Sequence, residues 1–331
     1  MNVPNSIMIW QFCFRILCIS IIIVNNFKYL TKRRTISDNY YRISYIILNG
    51  VNETKMKYIL IFLISVSTLI GKSNVEMELI PEYKSIVPGR SFSIIVKATV
   101  KDEWYIYWRN PGDAGLPAQF NWDLPKGIDL EEMKWPVPEK IFFKDMASYG
   151  YKNEAAFFFI FSVSSSLSEN QKLQVKLNAN WLECKEKCIP GRTEKNISLS
   201  VSSSQAEINE QFIRNSDDEY PTGKHRFDIS AKKEDDNIII YINNSQDQFE
   251  IPPDIIFMPY DNGIYNDGAK QRSIKSDSGF SLIIPLDDLR IEEPKVIEGI
   301  LKADGSFFNE RNQNAIIIKS NIINNSEEEQ E

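Results

Sequence analysis

The sequence predicts an all-β protein made of two β-sandwich domains behind a hydrophobic N-terminal leader. Three observations support this fold class. Short runs of alternating or β-branched residues recur along the chain, Pro-Gly and similar turn signals separate them, and no segment among them has a convincing helical period. Of the 331 residues, 43% are hydrophobic and 12% aromatic, which is enough apolar material for packed cores.

The leader is predicted to occupy residues 1–75 and contains two hydrophobic segments. Residues 56–73 have the basic start, short apolar stretch and small final residues of a secretory signal peptide, which predicts export. The apolar stretch at 7–24 is about long enough to cross a bilayer. Two explanations stay open: translation begins at Met56 and residues 1–55 are an upstream extension, or the first segment is an N-terminal membrane anchor.

The rest of the chain is acidic. The whole chain has a formal charge of −7, but residues 1–72 hold nine Lys/Arg and two Asp/Glu, so residues 73–331 carry 29 basic and 43 acidic side chains and a charge of −14. Nucleic-acid binding needs clustered Lys and Arg to neutralise phosphates. We therefore expect no nucleic-acid partner.

The first predicted sandwich domain covers residues 76–203. Its clearest strand places five apolar side chains on one face by the two-residue period of a strand, and this face is predicted to be core: Leu173, Val175, Leu177, Ala179 and Trp181. The predicted strands are Glu76–Tyr83, Ser91–Val100, Trp104–Trp108, Gln119–Trp122, Ala156–Val163, Gln171–Trp181 and Asn196–Val201.

A polar linker with a possible short helix is predicted at 204–223, and a second β-sandwich domain at 224–323. Residues 324–331 read as a solvated acidic tail. The predicted strands of the second domain are Asn237–Ile242, Asp254–Met258, Phe280–Ile284, Lys295–Leu301 and Ala315–Ile318.

Several kinds of catalysis are disfavoured by composition. Serine and cysteine hydrolases need an imidazole, and the single histidine, His225, lies in a polar stretch where a solvated side chain is the simpler interpretation. A structural zinc site needs about four Cys or His ligands, which the chain after the leader lacks. No Gly-rich phosphate loop follows a strand. We therefore expect no metal and no cofactor.

Cys184 and Cys188 are the two cysteines outside the leader, and they favour redox chemistry. In an exported protein two nearby cysteines are able to form a disulfide. A loop this short contributes on the order of 2 kcal/mol in the chain-entropy model, against about 4.7 for a hundred-residue loop, so the bond is inefficient as a structural staple. Lys185 and Lys187 favour a thiolate, whereas Glu183 and Glu186 oppose it, so local charge does not decide which sulfur attacks. A static disulfide, idle thiols and copper(I) binding remain alternatives.

A loop rich in Pro and Gly runs from Arg109 to Pro117, and its composition dictates a fixed, irregular path. Its length suggests a shaped surface able to lie over the thiols. The candidate residues for shielding the thiols or contacting a partner are Arg109, Asn110, Pro111, Gly112 and Asp113, together with Trp181 and Pro190 beside the cysteines.

Four motifs, in the same order, resemble the N-terminal ectodomain of DsbD- and ScsB-type thiol:disulfide interchange proteins, also called disulfide-bond corrector domains. They are Trp108-Arg-Asn-Pro-Gly-Asp-Ala-Gly-Leu-Pro117, Trp135-Pro-x-Pro138, Tyr149-Gly-Tyr151 and Trp181-Leu-x-Cys184-x3-Cys188-Ile-Pro190. The resemblance covers about residues 76–203. The second unit looks like the following β-domain of ScsB-like members through Phe257-Met-Pro-Tyr260 and Glu298-Gly-Ile-Leu301.

The resemblance implies immunoglobulin-like sandwiches in the periplasm and a Cys184–Cys188 redox pair that works as a protein-disulfide reductase component. It implies that Cys188 attacks substrate disulfides and that Cys184 resolves the mixed disulfide. The implied partners are thioredoxin-like periplasmic proteins and, because the sequence has no membrane-helix bundle after the second unit, a separate membrane electron-transfer subunit. The other hypothesis is a non-enzymatic immunoglobulin-like binding module with a structural disulfide.

Overall fold

Three β-sheets make up the part of the chain that the structure describes. This computed structural model describes residues 73–144, 146–204, 220–243, 251–252, 254–303, 308 and 314–324. The predicted leader up to Lys72, residues 205–219 of the predicted linker with its short helix, and the acidic tail beyond Asn324 lie outside these residues. The boundaries proposed for these segments stay predictions.

Eighteen strands lie within the described ranges. They are β1 (Val75–Pro81), β2 (Ser85–Ile86), β3 (Ser91–Val100), β4 (Tyr105–Gly112), β5 (Gln119–Asp123), β6 (Ile128–Lys134), β7 (Glu139–Phe143), β8 (Met146–Tyr151), β9 (Glu154–Val163), β10 (Lys172–Cys184), β11 (Cys188–Val201), β12 (Asp228–Glu234), β13 (Asn237–Asn243), β14 (Ile256–Pro259), β15 (Arg272–Ser276), β16 (Gly279–Pro285), β17 (Val296–Lys302) and β18 (Ala315–Asn324). The predicted all-β fold class is confirmed. None of the residues in the described ranges forms a helix long and apolar enough to span a membrane.

Sheets 1 and 2 form a sandwich. Sheet 1 has the strand order β1-β3-β9-β6, and sheet 2 has the order β2-β11-β10-β4-β8-β7, with β5 also paired to β10. One hydrophobic core lies between them, because apolar side chains of β3 and β9 meet those of β4, β8, β10 and β11. The predicted core face of β10 is confirmed: Val175, Leu177, Ala179 and Trp181 are buried, and Leu173 packs against the same core.

Sheet 3 contains the C-terminal strands in the order β14-β17-β18-β12-β13-β16-β15. Side chains of β14 and β17 share a second core with those of β13 and β16, so the sheet folds over on itself. The predicted strands at 237–242 and 280–284 pair with each other as β13 and β16. Met258, Ile300 and Ala315 of sheet 3 also pack against the core of the sandwich, which joins the two halves.

Six strands were not predicted: β2, β6, β7, β8, β12 and β15. The physical reason is clearest for β6 and β15, which end a sheet and expose most of their side chains, so neither has the apolar alternation that marks a half-buried strand. Strands β10 and β11 are also longer than predicted, because both continue as far as the two cysteines. This extension places the cysteines on strands.

Candidate functional site

Cys184 and Cys188 face each other at the turn end of a long hairpin. All thirteen residues of β10 pair with β11, from Lys172 opposite Ser200 to Cys184 opposite Cys188. Three residues connect the strands, and the amide of Lys185 donates a 3.2 Å hydrogen bond to the carbonyl of Lys187. The two sulfur atoms form a disulfide, with Cα atoms 4.1 Å apart. The hairpin register therefore holds the thiols together independently of the bond between them.

The two cysteines differ sharply in burial. Cys184 is 1% exposed and lies in a small apolar cluster with Tyr105, Tyr107 and Ile141. Cys188 is exposed. Thiol–disulfide exchange requires an incoming sulfur to approach a sulfur of the pair directly. Of the two residues, Cys188 is the one that another protein can approach.

Two tyrosines of β4 lie beside the disulfide. The hydroxyl of Tyr107 is 3.7 Å from Sγ of Cys188, and it is 3.5 Å from the hydroxyl of Tyr105. Burial raises the pKa of Tyr107 above its ordinary value, and the neighbouring hydroxyl of Tyr105 raises it further. Tyr107 therefore keeps its proton and can donate a hydrogen bond toward a thiolate at Cys188.

Glu183 and Lys185 lie next to Cys184 in sequence, but in the structure neither charge is directed at the thiols. Glu183 is 1% exposed and follows Trp181 on the core face of β10, whereas Cys184 lies on the opposite face. Lys185 forms an ion pair with Glu103, which raises the pKa of this lysine. The Glu183 carboxylate is thus turned away from the thiols, and Lys185 already has a carboxylate partner.

The loop from Arg109 to Pro117 reaches the site through a glycine. Gly115 has a φ of +125°, and a Cβ at this position would lie 2.3 Å from the ring of Tyr107. Gly112 has a φ of +81°, and its Cβ would lie 2.5 Å from the carbonyl oxygen of Ala147. Asp113 accepts a 2.7 Å hydrogen bond from the amide of the same alanine. The loop therefore packs against the tyrosine that faces Cys188 and is fixed to β8.

The first residues of this loop contact sheet 3. Asn110 is completely buried, and its amide group donates to the carbonyls of Pro259 at 2.9 Å and Asp261 at 3.1 Å. The guanidinium of Arg109 lies 4.0 Å from the centroid of the Tyr260 ring. These side chains are engaged within the chain, and contact of the loop with another protein remains a prediction.

The Tyr149-Gly-Tyr151 motif also links parts of the chain that are distant in sequence. The hydroxyl of Tyr151 donates a 2.8 Å hydrogen bond to the carbonyl of Pro136, in the Trp135-Pro-x-Pro138 motif. The hydroxyl of Tyr149 donates a 2.9 Å hydrogen bond to Asp267, which is 5% exposed. Burial raises the pKa of Asp267 to about 6, although the Tyr149 hydrogen bond lowers it. Tyr149 therefore joins the sandwich to the segment between β14 and β15.

The remaining candidate residues flank the cysteines on the hairpin. Pro190 is exposed and lies opposite Leu182. Trp181 is buried and lies opposite Gly191, where a Cβ would be 2.3 Å from the indole. Pro111 is buried in the loop that contacts sheet 3. No group of three or more His, Cys, Asp or Glu side chains suited to a metal ion is found among the residues that the structure describes.

Sequence reasoning missed three residues of the site: Tyr105, Tyr107 and Ile141. The two tyrosines could have been found from the sequence, because residues two apart on a strand lie on the same face. Side chains on one face of a strand can flank a cysteine on the neighbouring strand. Cys184 pairs directly with Tyr105 across that strand boundary. Ile141 had no such signal, because its strand was not predicted.

Comparison with known families identifies the N-terminal part of the chain. Residues 76–199 match the family model described as "Thiol:disulfide interchange protein DsbD, N-terminal". This range corresponds closely to the 76–203 over which the motifs were recognised. A comparison with curated proteins found no match.

Two solved structures are similar to this chain. The N-terminal periplasmic domain of ScsB from Proteus mirabilis has 16% identity over 76% of this chain and 94% of that chain, with a TM-score of 0.52. The N-terminal domain of Neisseria meningitidis DsbD in the reduced form has 20% identity over 37% of this chain and 86% of that chain, with a TM-score of 0.25. The first likeness shows a shared fold that extends across both halves of the described chain.

Proposed function

Residues 76–199 belong to the family of DsbD N-terminal thiol:disulfide interchange domains, as the motifs predicted, and from this premise we propose that the Cys184–Cys188 pair cycles between dithiol and disulfide. The observation that carries the proposal is the unequal burial of the two cysteines. Cys188 is exposed, while Cys184 is 1% exposed. In such a pair the exposed cysteine can react with a partner protein, and the buried cysteine can resolve the mixed disulfide.

In the proposed reaction the reduced protein transfers two electrons to a partner disulfide. The Cys188 thiolate attacks one partner sulfur, forms a mixed disulfide and releases the other partner sulfur as a thiolate. The Cys184 thiolate then attacks the Cys188 sulfur, which releases the second partner sulfur and forms the Cys184–Cys188 disulfide. Two protons leave the dithiol and are available to the partner thiolates. The partner is reduced, and this protein is oxidised.

The surroundings of the pair suit each step. The Tyr107 hydroxyl, 3.7 Å from the Cys188 sulfur, is placed to donate to the attacking thiolate. Cys184 is held opposite Cys188 by the hairpin register, so resolution needs no large movement. The apolar cluster around Cys184 keeps solvent and foreign thiols away from the resolving sulfur.

We place this reaction in the periplasm, with thioredoxin-like proteins as electron acceptors and a membrane electron-transfer domain as donor. The family membership, the acidic body and the predicted signal peptide support this placement. Oxidised protein returns to the dithiol form when the donor's own dithiol reduces it, so the donor becomes a disulfide.

Single-cysteine variants test the proposal. Cys184→Ala leaves the exposed thiol without its resolving partner, and we expect it to accumulate mixed disulfides with periplasmic proteins that disappear on reduction with dithiothreitol. Cys188→Ala is the matched control, because its remaining thiol is buried, and we expect few or no adducts. A pair that stays oxidised below about −300 mV and traps no partner in either variant would identify a structural disulfide and overturn the proposal.

A further inference from the structure

Glu183, the residue before Cys184, is a buried carboxylate held by neutral donors. Its Oε2 accepts hydrogen bonds from Ser73 Oγ at 2.8 Å and Trp181 Nε1 at 2.9 Å. Its Oε1 accepts from the backbone and side-chain amides of Asn74, at 2.9 and 3.1 Å. Each of these four groups can donate to the carboxylate, although the Ser73 hydroxyl also lies 3.0 Å from the carbonyl of Val75.

This carboxylate has no cationic partner within the described ranges. No Lys, Arg or His side chain there forms an ion pair with Glu183. A buried carboxylate is costly unless it is both hydrogen-bonded and paired with a positive charge. The hydrogen bonds are complete, and the compensating charge is missing.

Three of the four donor groups belong to Ser73 and Asn74, at the predicted end of the signal peptide. The apolar stretch that ends at Ile70 is followed by Gly71-Lys72-Ser73, which places small residues first and third before the Ser73–Asn74 bond. This small-x-small arrangement is the pattern that leader peptidases recognise. The bond with the expected pattern is therefore the one whose nitrogen contacts Glu183.

We propose that a leader peptidase hydrolyses the Ser73–Asn74 bond and that the α-ammonium group created on Asn74 forms a buried ion pair with Glu183. Water supplies the hydroxyl that completes the Ser73 carboxyl group of the leader, and the Asn74 nitrogen takes up protons to become an ammonium. Cleavage removes the Ser73 hydroxyl donor together with the leader. The Asn74 nitrogen already lies 2.9 Å from Oε1, so the ion pair forms in place and offsets that loss. Processing thereby supplies the missing charge to the strand that carries Cys184.

The surroundings of Asn74 hold the new terminus in position. The carbonyl of Asn74 accepts a 2.9 Å hydrogen bond from the amide of Lys101, and Val75, the next residue, pairs with Val100 in sheet 1. The Lys101 amine lies 3.4 Å from the carbonyl of Ser73, a contact that cleavage removes, and it is exposed to solvent. The Lys101 amine also donates a 3.2 Å hydrogen bond to Oδ1 of Asn74, a contact that cleavage leaves in place.

The inference rests on the export step of the proposed function, and its first test is the position of the mature terminus. The full reading frame is expressed in a bacterium with a periplasm, and the secreted protein is examined by intact mass and N-terminal sequencing. We expect Asn74 as the first residue. A start at Lys72, at Ser73 or elsewhere, or retention of the leader, would overturn the proposal.

The second test measures the reactivity of the α-amine with an acylating reagent at neutral pH, followed by peptide mapping. An ammonium held by a buried carboxylate reacts slowly because its free-amine form is less populated. We expect the native protein to label about tenfold more slowly than the same protein in urea, and Glu183→Gln to abolish most of this protection.

Glu186→Gln is the matched control, since Glu186 is an exposed carboxylate on the same hairpin, and it should label like the wild type. Equal labelling of native and urea-unfolded wild type would overturn the ion pair even if Glu183→Gln does not fold. The Cys188→Ala variant, which cannot exchange disulfides, should give the same terminus and the same protection. Failure of the redox proposal is therefore distinguishable from failure of this one.

Discussion

The hydroxyl of Tyr149, on the edge-proximal strand β8 of the sandwich, donates a 2.9 Å hydrogen bond to Oδ1 of Asp267 in the C-terminal half of the chain. Both residues are buried, and Asp113 and Asp287 add negative charge around Asp267. Lys140 lies close enough to oppose that charge, although burial lowers the pKa of this lysine. The contact between the two halves therefore includes a carboxyl group that titrates in the range of ordinary buffers.

This relationship predicts a pH-dependent stability. The pKa of Asp267 is about 6 in the folded protein and 3.8 ordinarily, so the folded state binds its proton more tightly. A raised pKa of this kind contributes stability that is complete below 3.8 and is lost as the pH rises through about 6. We expect the free energy of unfolding to increase by about 1 kcal/mol between pH 7 and pH 5 from this group.

Urea unfolding at the two pH values measures the effect, with Asp267→Asn as the comparison because its amide does not titrate. The variant should lack the part of the increase in the free energy of unfolding that Asp267 contributes. An identical pH dependence in wild type and variant would contradict the assignment to Asp267.

The Tyr107 hydroxyl should accelerate the chemistry of Cys188. Tyr107→Phe keeps the ring that packs on Gly115 but removes the donor 3.7 Å from the sulfur. A hydrogen bond worth about 1 kcal/mol predicts a roughly fivefold slower alkylation of reduced Cys188 by iodoacetamide at pH 7. Tyr105→Phe is the control, because the sulfur contact belongs to Tyr107; an equal loss in both variants would argue against the specific role.

Gly191 should be required for the packing of Trp181. An added Cβ would lie 2.3 Å from the indole, so Gly191→Ala must displace this buried ring and should destabilise the protein by about 1–3 kcal/mol in urea unfolding. Gly223→Ala is the matched control, since no heavy atom lies within 4 Å of its added Cβ. Comparable losses in the two variants would exclude a steric cause.

Asn110 should stabilise the contact between the sandwich and sheet 3. Asn110→Ala removes the buried amide that donates to the carbonyls of Pro259 and Asp261, leaving polar groups unsatisfied. We expect a loss of about 2–4 kcal/mol in thermal or urea unfolding. Asn262→Ala, at an exposed position next to this contact, should cost far less; a stability near wild type for Asn110→Ala would refute the importance of the contact.

Local patterns in the sequence predicted the fold class and the core of the hairpin, because a strand that is half buried must alternate. One further step of that alternation, from Trp181 to Glu183, would have placed the carboxylate on the core face. The charge of Glu183 instead favoured the interpretation that its side chain is exposed to solvent. Glu183 is buried because Ser73 and Asn74, more than a hundred residues away along the chain, donate hydrogen bonds to its carboxylate.

The contacts of the 109–117 loop could not be predicted either, because they are made with residues distant in sequence. Its Pro and Gly content predicted a fixed path, and Gly115 does pack on Tyr107 beside the cysteines. The contacts of Asn110 lie 149 and 151 residues away, with backbone carbonyls that carry no sequence signal. The position of a rigid loop relative to a distant sheet is a tertiary property that local composition does not encode.

The hairpin of β10 and β11 keeps its strand pairing and its disulfide in different parts of its length. Its backbone ladder runs the full length of β10, while the disulfide closes only a five-residue segment at the tip. The residues that pack the hairpin and those that surround the disulfide are therefore different: the first lie on the core face of the ladder, and the second are Tyr107 and the residues of the tip. Substitutions at the tip can therefore change the surroundings of the disulfide while the ladder that supports it stays constant.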